Sequence, residues 1–250
     1  TTTADYFNSA AAIDGMLAYQ RSFTPDLDAK GQAAYAIGDY SYNFALVTVP
    51  PLVGFGLLPD LSTTNLAVRF DTQPMLHKGT MLEERRTLFR FLHGRVATDR
   101  AELARLPGTD AVVDTQALRD RFRIAVEAHL APLVAVLSTR SGLSRNALWR
   151  LVGDSLSQIF LDAGRRFGRL DEARAAAIAV LKHEGSPLTN RQLHFFDIEV
   201  RADDDPARLL LSMTFRQRGG CCRYYTVEGG HLCTACVLQD PAVRASRIEA

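Results

Sequence analysis

The chain has 250 residues, which fits one large domain or one domain with a small appendage. Apolar residues make up 47% of it, enough for a substantial core that needs no metal to hold the fold together. The formal net charge is +1, from 29 basic and 28 acidic residues, so no charge excess favours nucleic acid or an anionic membrane as a partner.

Targeting and membrane signals are weak along the whole sequence. The longest apolar stretch, residues 44–58, contains two prolines and two glycines and is shorter than the roughly 20 residues that a bilayer span needs. The sequence also shows no secretory pattern of charged n-region, apolar h-region and small-residue cleavage site. We therefore expect a soluble, cytoplasmic protein without a transmembrane segment.

Apolar residues at helical spacing predict four helices in the first 184 residues. The predicted helices are 26–49, ended or kinked by Pro50-Pro51; 115–138, capped by Asp114 and kinked at Pro132; 144–167, capped by Ser144 and ended by Gly168; and 171–184, ended by Gly185 and Pro187.

Three segments alternate apolar and polar residues and are predicted as strands: residues 66–71, 196–201 and 211–216. A polar loop separates the last two, which predicts a hairpin that leads directly into Gly219 and Gly220. We expect an α+β fold that is predominantly α-helical. It divides into a body of residues 1–217 and a Cys-rich C-terminal segment of residues 218–250.

All four cysteines of the chain lie within sixteen residues, at Cys221, Cys222, Cys233 and Cys236. This concentration indicates that the thiols act together, as a metal or cluster site. In a reducing cytosol such a group is expected to bind metal or to do redox chemistry rather than to form structural disulfides.

The cysteine spacing favours an iron–sulfur cluster and leaves two alternatives open. Zinc sites usually combine two Cys-x-x-Cys turns, whereas this chain has one such turn and the adjacent pair Cys221-Cys222. The pair needs a sharp bend to reach one centre, and we expect Gly219-Gly220 and Gly229-Gly230 to permit it. A 2Fe–2S cluster suits adjacent cysteines better, because its ligand positions are spread over two irons. A zinc site and a vicinal disulfide or thiol redox pair remain the alternatives; His231 is interpreted as lying outside the ligand set.

The segment from Arg218 to Cys236, RGGCCRYYTVEGGHLCTAC, resembles the C-terminal signature of the FhuF-like ferric-siderophore reductases. In that family a Cys-Cys pair, ten residues and a Cys-x-x-Cys turn hold one 2Fe–2S cluster. The similarity covers the four cysteines, the preceding arginine and the aromatic pair Tyr224-Tyr225. Gly220 replaces the small polar residue usual before the Cys-Cys pair, a change expected to affect hydrogen bonding to the sulfurs. The rest of the chain is similar only in its mostly helical architecture, which is related to a domain of siderophore synthetases.

The resemblance implies a reductase that transfers one electron from the cluster to Fe(III) in a siderophore, with the hydroxamate type favoured. It implies no catalytic residue beyond the cluster. Candidates for contact with the substrate or the cluster are Arg216, Arg218, Arg223, Tyr224 and Tyr225.

The electron source is expected to be a separate protein, because the sequence contains neither a G-x-G-x-x-G fingerprint nor a Walker loop. A ferredoxin, a flavodoxin or a flavoprotein reductase would serve. Two other functions are weighed against this one. The first is a non-enzymatic zinc-binding or scaffolding protein with a structural cysteine tail. The second is a siderophore-binding iron–sulfur protein that relays electrons.

Overall fold

A computed structural model describes residues 1–77 and 80–249. Its helices are α1 (Thr3–Asn8), α2 (Ala10–Phe23), α3 (Ala29–Phe55), α4 (Thr115–Ser141), α5 (Arg145–Phe167), α6 (Leu170–Leu181) and α7 (Pro241–Glu249). Its strands are β1 (Leu57–Pro59), β2 (Leu66–His77), β3 (Thr80–Phe91), β4 (Val96–Thr98), β5 (Thr109–Ala111), β6 (His194–Arg201) and β7 (Leu209–Gln217). The predicted α+β fold, in which helices predominate over strands, is confirmed.

The described strands form three small sheets. β1 pairs antiparallel with β4, which pairs in parallel with β5. β6 and β7 form the predicted antiparallel hairpin. β2, which contains the predicted strand 66–71, pairs antiparallel with β3. The sequence pattern does not predict β3. Four consecutive charged residues, 83–86, interrupt the alternation of apolar and polar side chains in β3, so periodicity alone gives no strand signal there.

Helix α5 lies at the centre of the molecule, packed between α3 and α6. It is confirmed with its predicted caps: the Ser144 hydroxyl accepts a hydrogen bond from the Ala147 N–H, and Gly168 ends the helix at φ 65°. Apolar side chains three and four residues apart along α5 are buried in the core. Both signals are local, which explains why the sequence predicts this helix correctly.

Of the two outcomes predicted at Pro50-Pro51, an end or a kink of the first long helix, the end is wrong, and the predicted start at residue 26 is three residues too early. Helix α3 begins at Ala29, with Asp28 as its N-cap, and continues through both prolines until Gly56 ends it at φ 65°. Each proline removes one backbone donor, but the last turn of the helix buries Leu52 and Val53. That apolar burial offsets the lost hydrogen bonds.

Two other predicted helix ends are displaced by three residues. Helix α4 starts at its predicted cap, Asp114, and continues to Ser141, where Gly142 ends it. Helix α6 ends at Leu181 instead of residue 184. By length and composition, α4 qualifies as a possible membrane span among the described helices. This is weak evidence for a span, because the core helix of a soluble protein meets the same criteria and the apolar stripe of α4 is buried in the core.

His129 of α4 is a buried polar residue that joins three parts of the body. Its Nδ1 donates to the Leu61 carbonyl at 2.8 Å, so its Nε2 accepts from the Tyr40 hydroxyl, also at 2.8 Å. The imidazole stacks on the Phe44 ring with centroids 4.5 Å apart. Burial lowers the pKa of His129 to about 4, so the ring is neutral in the folded protein at neutral pH.

Candidate metal centre

None of the four cysteines lies in a helix or a strand. They converge in the loop that follows β7. Cys222 and Cys233 share a hydrogen bond between their sulfurs, which lowers the pKa of Cys222 and raises that of Cys233. Cys221 lies within electrostatic range of Cys222 and Cys236, and Cys233 within range of Cys222 and Cys236. All four are free thiols. Each thiol therefore interacts electrostatically with two of the others.

This arrangement fits a binuclear group. Among the described residues, no three Cys, His, Asp or Glu side chains are grouped as the ligands of one metal ion. A 2Fe–2S cluster takes four thiolates, two on each iron, so the four free thiols of the loop supply its whole ligand set. Three of the thiols are half-buried and Cys236 is buried, so the site lies near the surface.

Hydrogen-bond donors point at three of the sulfurs. The Arg223 N–H donates to the Cys221 Sγ at 3.4 Å, and the Tyr224 N–H donates to the Cys222 sulfur. The Arg218 guanidinium approaches the Cys233 Sγ, with Nη1 at 3.6 Å. Arg223 has φ 65°, in the left-handed region that residues with a side chain rarely adopt. This conformation turns the chain directly after the cysteine pair, so that successive amides face the sulfurs.

The expectation that Gly219 and Gly220 provide unusual φ angles is wrong, because neither has a positive φ. They are needed for close approach instead. A Cβ on Gly219 would collide with the Asn190 Nδ2, and one on Gly220 would lie 3.0 Å from the Leu151 backbone nitrogen. In the return turn Gly229 does adopt φ 69°, as expected. The first two glycines thus let the cysteine loop lie directly against α5.

Asp154 of α5 anchors the chain just before the cysteines. Its carboxylate is buried, with Oδ1 accepting from the Gly219 N–H at 2.7 Å and Oδ2 from the Gly220 N–H at 3.1 Å. Oδ2 also accepts from the Arg218 Nε at 3.0 Å, and the Arg216 Nη1 lies 3.9 Å from Oδ1. One carboxylate thus holds two backbone amides and faces two guanidinium groups.

The three predicted arginines have different environments. Arg216 is largely buried, donates from Nε to the Gln158 Oε1 at 2.8 Å, and has its pKa lowered by burial. Burial also opposes the charge of Arg218, but Asp154 and the cysteine sulfurs nevertheless hold its pKa above the usual value. Arg223 contacts Asp28 at the start of α3, with 2.8 Å between Nη2 and Oδ2. Arg218 alone of these three contacts a cysteine through its side chain.

The two predicted tyrosines also differ. The Tyr224 ring is half-buried and packs edge-on against His231, with centroids 5.3 Å apart. Tyr225 is exposed. His231 itself is exposed, and its place outside the ligand set stays a prediction.

Adjacent cysteines line different cavities. Cys222 lines a cavity of about 540 Å³ between α2, α3, α5 and the chain at Arg216 and Arg218; we call it the Cys222 cavity. Cys221 and Tyr225 line another cavity of about 390 Å³, at the start of α5. The backbone bend at the cysteine pair therefore presents one thiol to each cavity.

Two family models match the chain. One, described as "Ferric iron reductase FhuF-like transporter", matches residues 48–197, and the other, "FhuF 2Fe-2S C-terminal domain", matches residues 218–238. The chain belongs to the FhuF-like family. Comparisons with curated proteins and with solved structures find no match.

Family membership identifies the cofactor. The second model covers the whole cysteine loop, so this FhuF-like protein carries a 2Fe–2S cluster, and the cofactor prediction is confirmed over zinc. Membership also supports a ferric-siderophore reductase type of role in iron uptake.

The sequence of this FhuF-like chain does not predict several residues that lie around the centre. Asp154 gives a faint signal, since a carboxylate three residues after Leu151 lies at the edge of an apolar helix stripe. Tyr35 of α3 gives no such signal in the sequence. It lies near Cys222, and burial raises its pKa to about 12. Gln239 also gives none, although its Nε2 donates to the Cys233 carbonyl at 2.8 Å and so supports the second cysteine turn.

Proposed function

We propose that this FhuF-like protein is a ferric-siderophore reductase that transfers one electron to Fe(III) in a hydroxamate siderophore and releases Fe(II). The proposed cluster ligands are Cys221, Cys222, Cys233 and Cys236. The observation that carries the proposal is the position of Cys222, which lies both in the group of four thiols and in the wall of the Cys222 cavity. A ferric complex in that cavity would be next to a ligand of the redox centre.

The chemistry matches the need of the substrate. A bound 2Fe–2S cluster supplies one electron at a time, and one electron converts Fe(III) to Fe(II). Hydroxamates hold Fe(III) through hard, anionic oxygens that bind Fe(II) far less strongly. Arg218 and the amides of Arg223 and Tyr224 stabilise negative charge on the sulfurs.

The electron donor is proposed to be a separate ferredoxin, flavodoxin or flavoprotein reductase, and the protein is proposed to work in the cytoplasm. The division into a siderophore-reductase body, residues 1–217, and a cluster-binding segment, residues 218–250, stays a proposal. The body is expected to keep its helices without the metal, because its core is built from its own apolar residues.

The function is tested by mixing chemically reduced protein with a ferric trihydroxamate under anaerobic conditions. The visible spectrum should return to that of the oxidised protein, and a ferrous chelator should trap close to one Fe(II) per cluster. NADH alone should have no effect, and NADH with a flavoprotein or ferredoxin donor should restore turnover. Direct NADH oxidation by the isolated chain would overturn the mechanism. If no ferric siderophore reoxidised the reduced protein, the proposed function would be overturned.

A further inference from the structure

We infer that the electron donor docks on the surface around the cavity lined by Cys221, and that this donor is a small acidic protein that carries one electron. We call this surface the Cys221 face; it is formed by Arg150, Cys221, Arg223, Tyr225, Val237 and Leu238. The inference rests on the proposed function, which needs a separate donor. It adds the place where the donor docks and the charge by which the donor is recognised.

Cys221 gives a docked protein direct access to the redox centre. Its thiol is half-buried and lines the cavity of about 390 Å³, whereas Cys222 lines the Cys222 cavity. A carrier on the Cys221 face would be next to one cluster ligand and would leave the Cys222 cavity open. One electron passes from the reduced carrier to the oxidised cluster; the carrier is oxidised, the cluster is reduced, and no bond is made or broken.

The Cys221 face carries an excess of positive charge. No Asp or Glu among the described residues lines its cavity. Arg150 contacts no carboxylate in the described part of the chain, and its Nη1 donates to the neutral Gln192 Oε1 at 3.4 Å. Arg145 and Arg191 are exposed and are chain neighbours of lining residues. Arg223 is already paired with a carboxylate, so the excess comes from the other three arginines.

The start of α5 adds to this positive potential. Ser144, Asn146 and Ala147 line the cavity, so the N-terminal end of a 23-residue helix lies at the face. A helix N-terminus carries a partial positive charge, and no acidic residue in the first turn of α5 offsets it. In the Cys222 cavity, by contrast, Asp39 and Asp154 balance the two guanidinium groups. An acidic carrier is therefore attracted to the Cys221 face rather than to the Cys222 cavity.

Exposed apolar side chains lie among these cations. Leu238 is 53% exposed and Tyr225 44% exposed, and both line the cavity together with Val237. An apolar centre with charged groups around it is the usual composition of a protein–protein interface, in which tyrosine is a frequent anchor. The face thus offers a docked protein apolar contact as well as charge.

A second basic surface near the cysteines provides a control. Thr234 and Ala235 of the Cys-x-x-Cys turn line another cavity, together with the exposed Arg247. No cysteine of the described chain lines that cavity, so a carrier there would not be next to a cluster ligand. Arg247→Glu and Arg150→Glu change the net charge of the protein equally, and they differ only in which surface they alter.

The first test measures how fast the cluster is reduced when oxidised holoprotein is mixed anaerobically with flavodoxin hydroquinone, without any siderophore. Flavodoxin is a small acidic carrier, and its semiquinone has a visible spectrum distinct from that of the cluster. The wild-type rate constant should fall as ionic strength rises, because salt screens the attraction. Arg150→Glu should lower it at least roughly tenfold at low ionic strength, with a smaller effect in high salt, and Arg247→Glu should stay within about twofold of wild type.

Arg145→Glu covers the case in which Arg150→Glu fails to fold. Arg145 is exposed in the first turn of α5, where a glutamate is favourable for the helix, so this variant should fold and should also slow the reduction. The visible spectrum of each variant should match that of the wild type, which shows that the cluster is intact.

The second test measures binding without electron transfer, by titration calorimetry of the oxidised holoprotein with oxidised flavodoxin. Tyr225→Ala should weaken binding at least roughly fivefold and leave its salt dependence unchanged, since it removes apolar contact and no charge. Phe55→Ala, on a ring 56% exposed and outside the Cys221 face, should bind as the wild type does.

Wild-type rates in both arginine variants of the face, or an equal loss in Arg247→Glu, would overturn the docking place. A wild-type rate that does not depend on ionic strength, or no reduction by flavodoxin at all, would overturn the acidic carrier. Wild-type affinity in Tyr225→Ala would also count against the face. All these measurements omit the siderophore, so the proposed function, which is tested with chemically reduced protein and no carrier, stands or fails separately.

Discussion

The Nη1 of Arg218 lies 3.6 Å from the Sγ of Cys233. The same guanidinium donates from Nε to the buried Asp154, which fixes its orientation toward the sulfur. A positive charge held at this distance stabilises the more negative, reduced state of a cluster bound by that sulfur. Arg218 is therefore expected to set the reduction potential of the centre.

Arg218→Ala should lower the reduction potential by on the order of 60 mV, the value of a tenfold change in a one-electron equilibrium. Arg218→Lys should lower it less, because lysine keeps the charge without the planar fork. Redox titration followed by electron paramagnetic resonance measures the shift. Arg208→Ala, on an exposed side chain paired with Asp204, is the control and should leave the potential unchanged. Equal potentials for Arg218→Ala and wild type would refute this role.

Single Cys→Ser changes at positions 221, 222, 233 and 236 should each bleach the protein or sharply shift its visible spectrum. Losing one thiolate opens an iron to water and oxygen. Thr234→Ala, in the exposed middle of the Cys-x-x-Cys turn, should keep the spectrum. Iron and sulfide analysis gives an independent measure of cluster content. One zinc per chain, with no iron or sulfide in anaerobically prepared protein, would contradict the cluster.

Asp154→Asn should destabilise the protein by about 3 kcal/mol, because it leaves two largely buried guanidinium groups without their carboxylate. Asp162→Asn, two turns later on the same helix, removes an exposed ion pair with Arg165 and should cost less than about 1 kcal/mol. Urea unfolding followed by circular dichroism compares the two. Similar losses in both variants would show that Asp154 has no special anchoring role.

Acid should destabilise the body through His129. Its pKa is about 4 in the folded protein against 6.5 for the unperturbed side chain, so between these values the unfolded chain binds the extra proton. The contribution of His129 to stability is therefore complete above about pH 6.5 and falls by up to about 3 kcal/mol as the pH drops to 4. The free energy of unfolding measured at intervals over this range gives the slope. His129→Gln should flatten this pH dependence of the unfolding free energy, whereas His93→Gln, on an exposed ring, should not. A wild-type unfolding free energy that does not change over this pH range would argue against the role of His129.

Local signals account for what could be predicted from the sequence. Helix α5 is defined by its caps, Ser144 and Gly168, and by the spacing of apolar residues between them. The spacing of the cysteines indicates the cofactor. What could not be predicted depends on contacts between distant residues. The continuation of α3 past its prolines depends on tertiary burial of Leu52 and Val53. Tyr35 comes close to Cys222 only because α3 packs beside the cysteine loop, which no pattern within α3 indicates.

The bonds from Asp154 to Gly219 and Gly220 limit how freely this segment can be exchanged between proteins. Residues 218–238 contain every cysteine, yet an acceptor for their first two glycine amides comes from α5, some 65 positions earlier. Transplanted onto an unrelated scaffold, the segment would lack that acceptor and the close-packed helix surface beneath it. The redox segment and α5 are therefore expected to change together in any engineered or natural variant that keeps its iron.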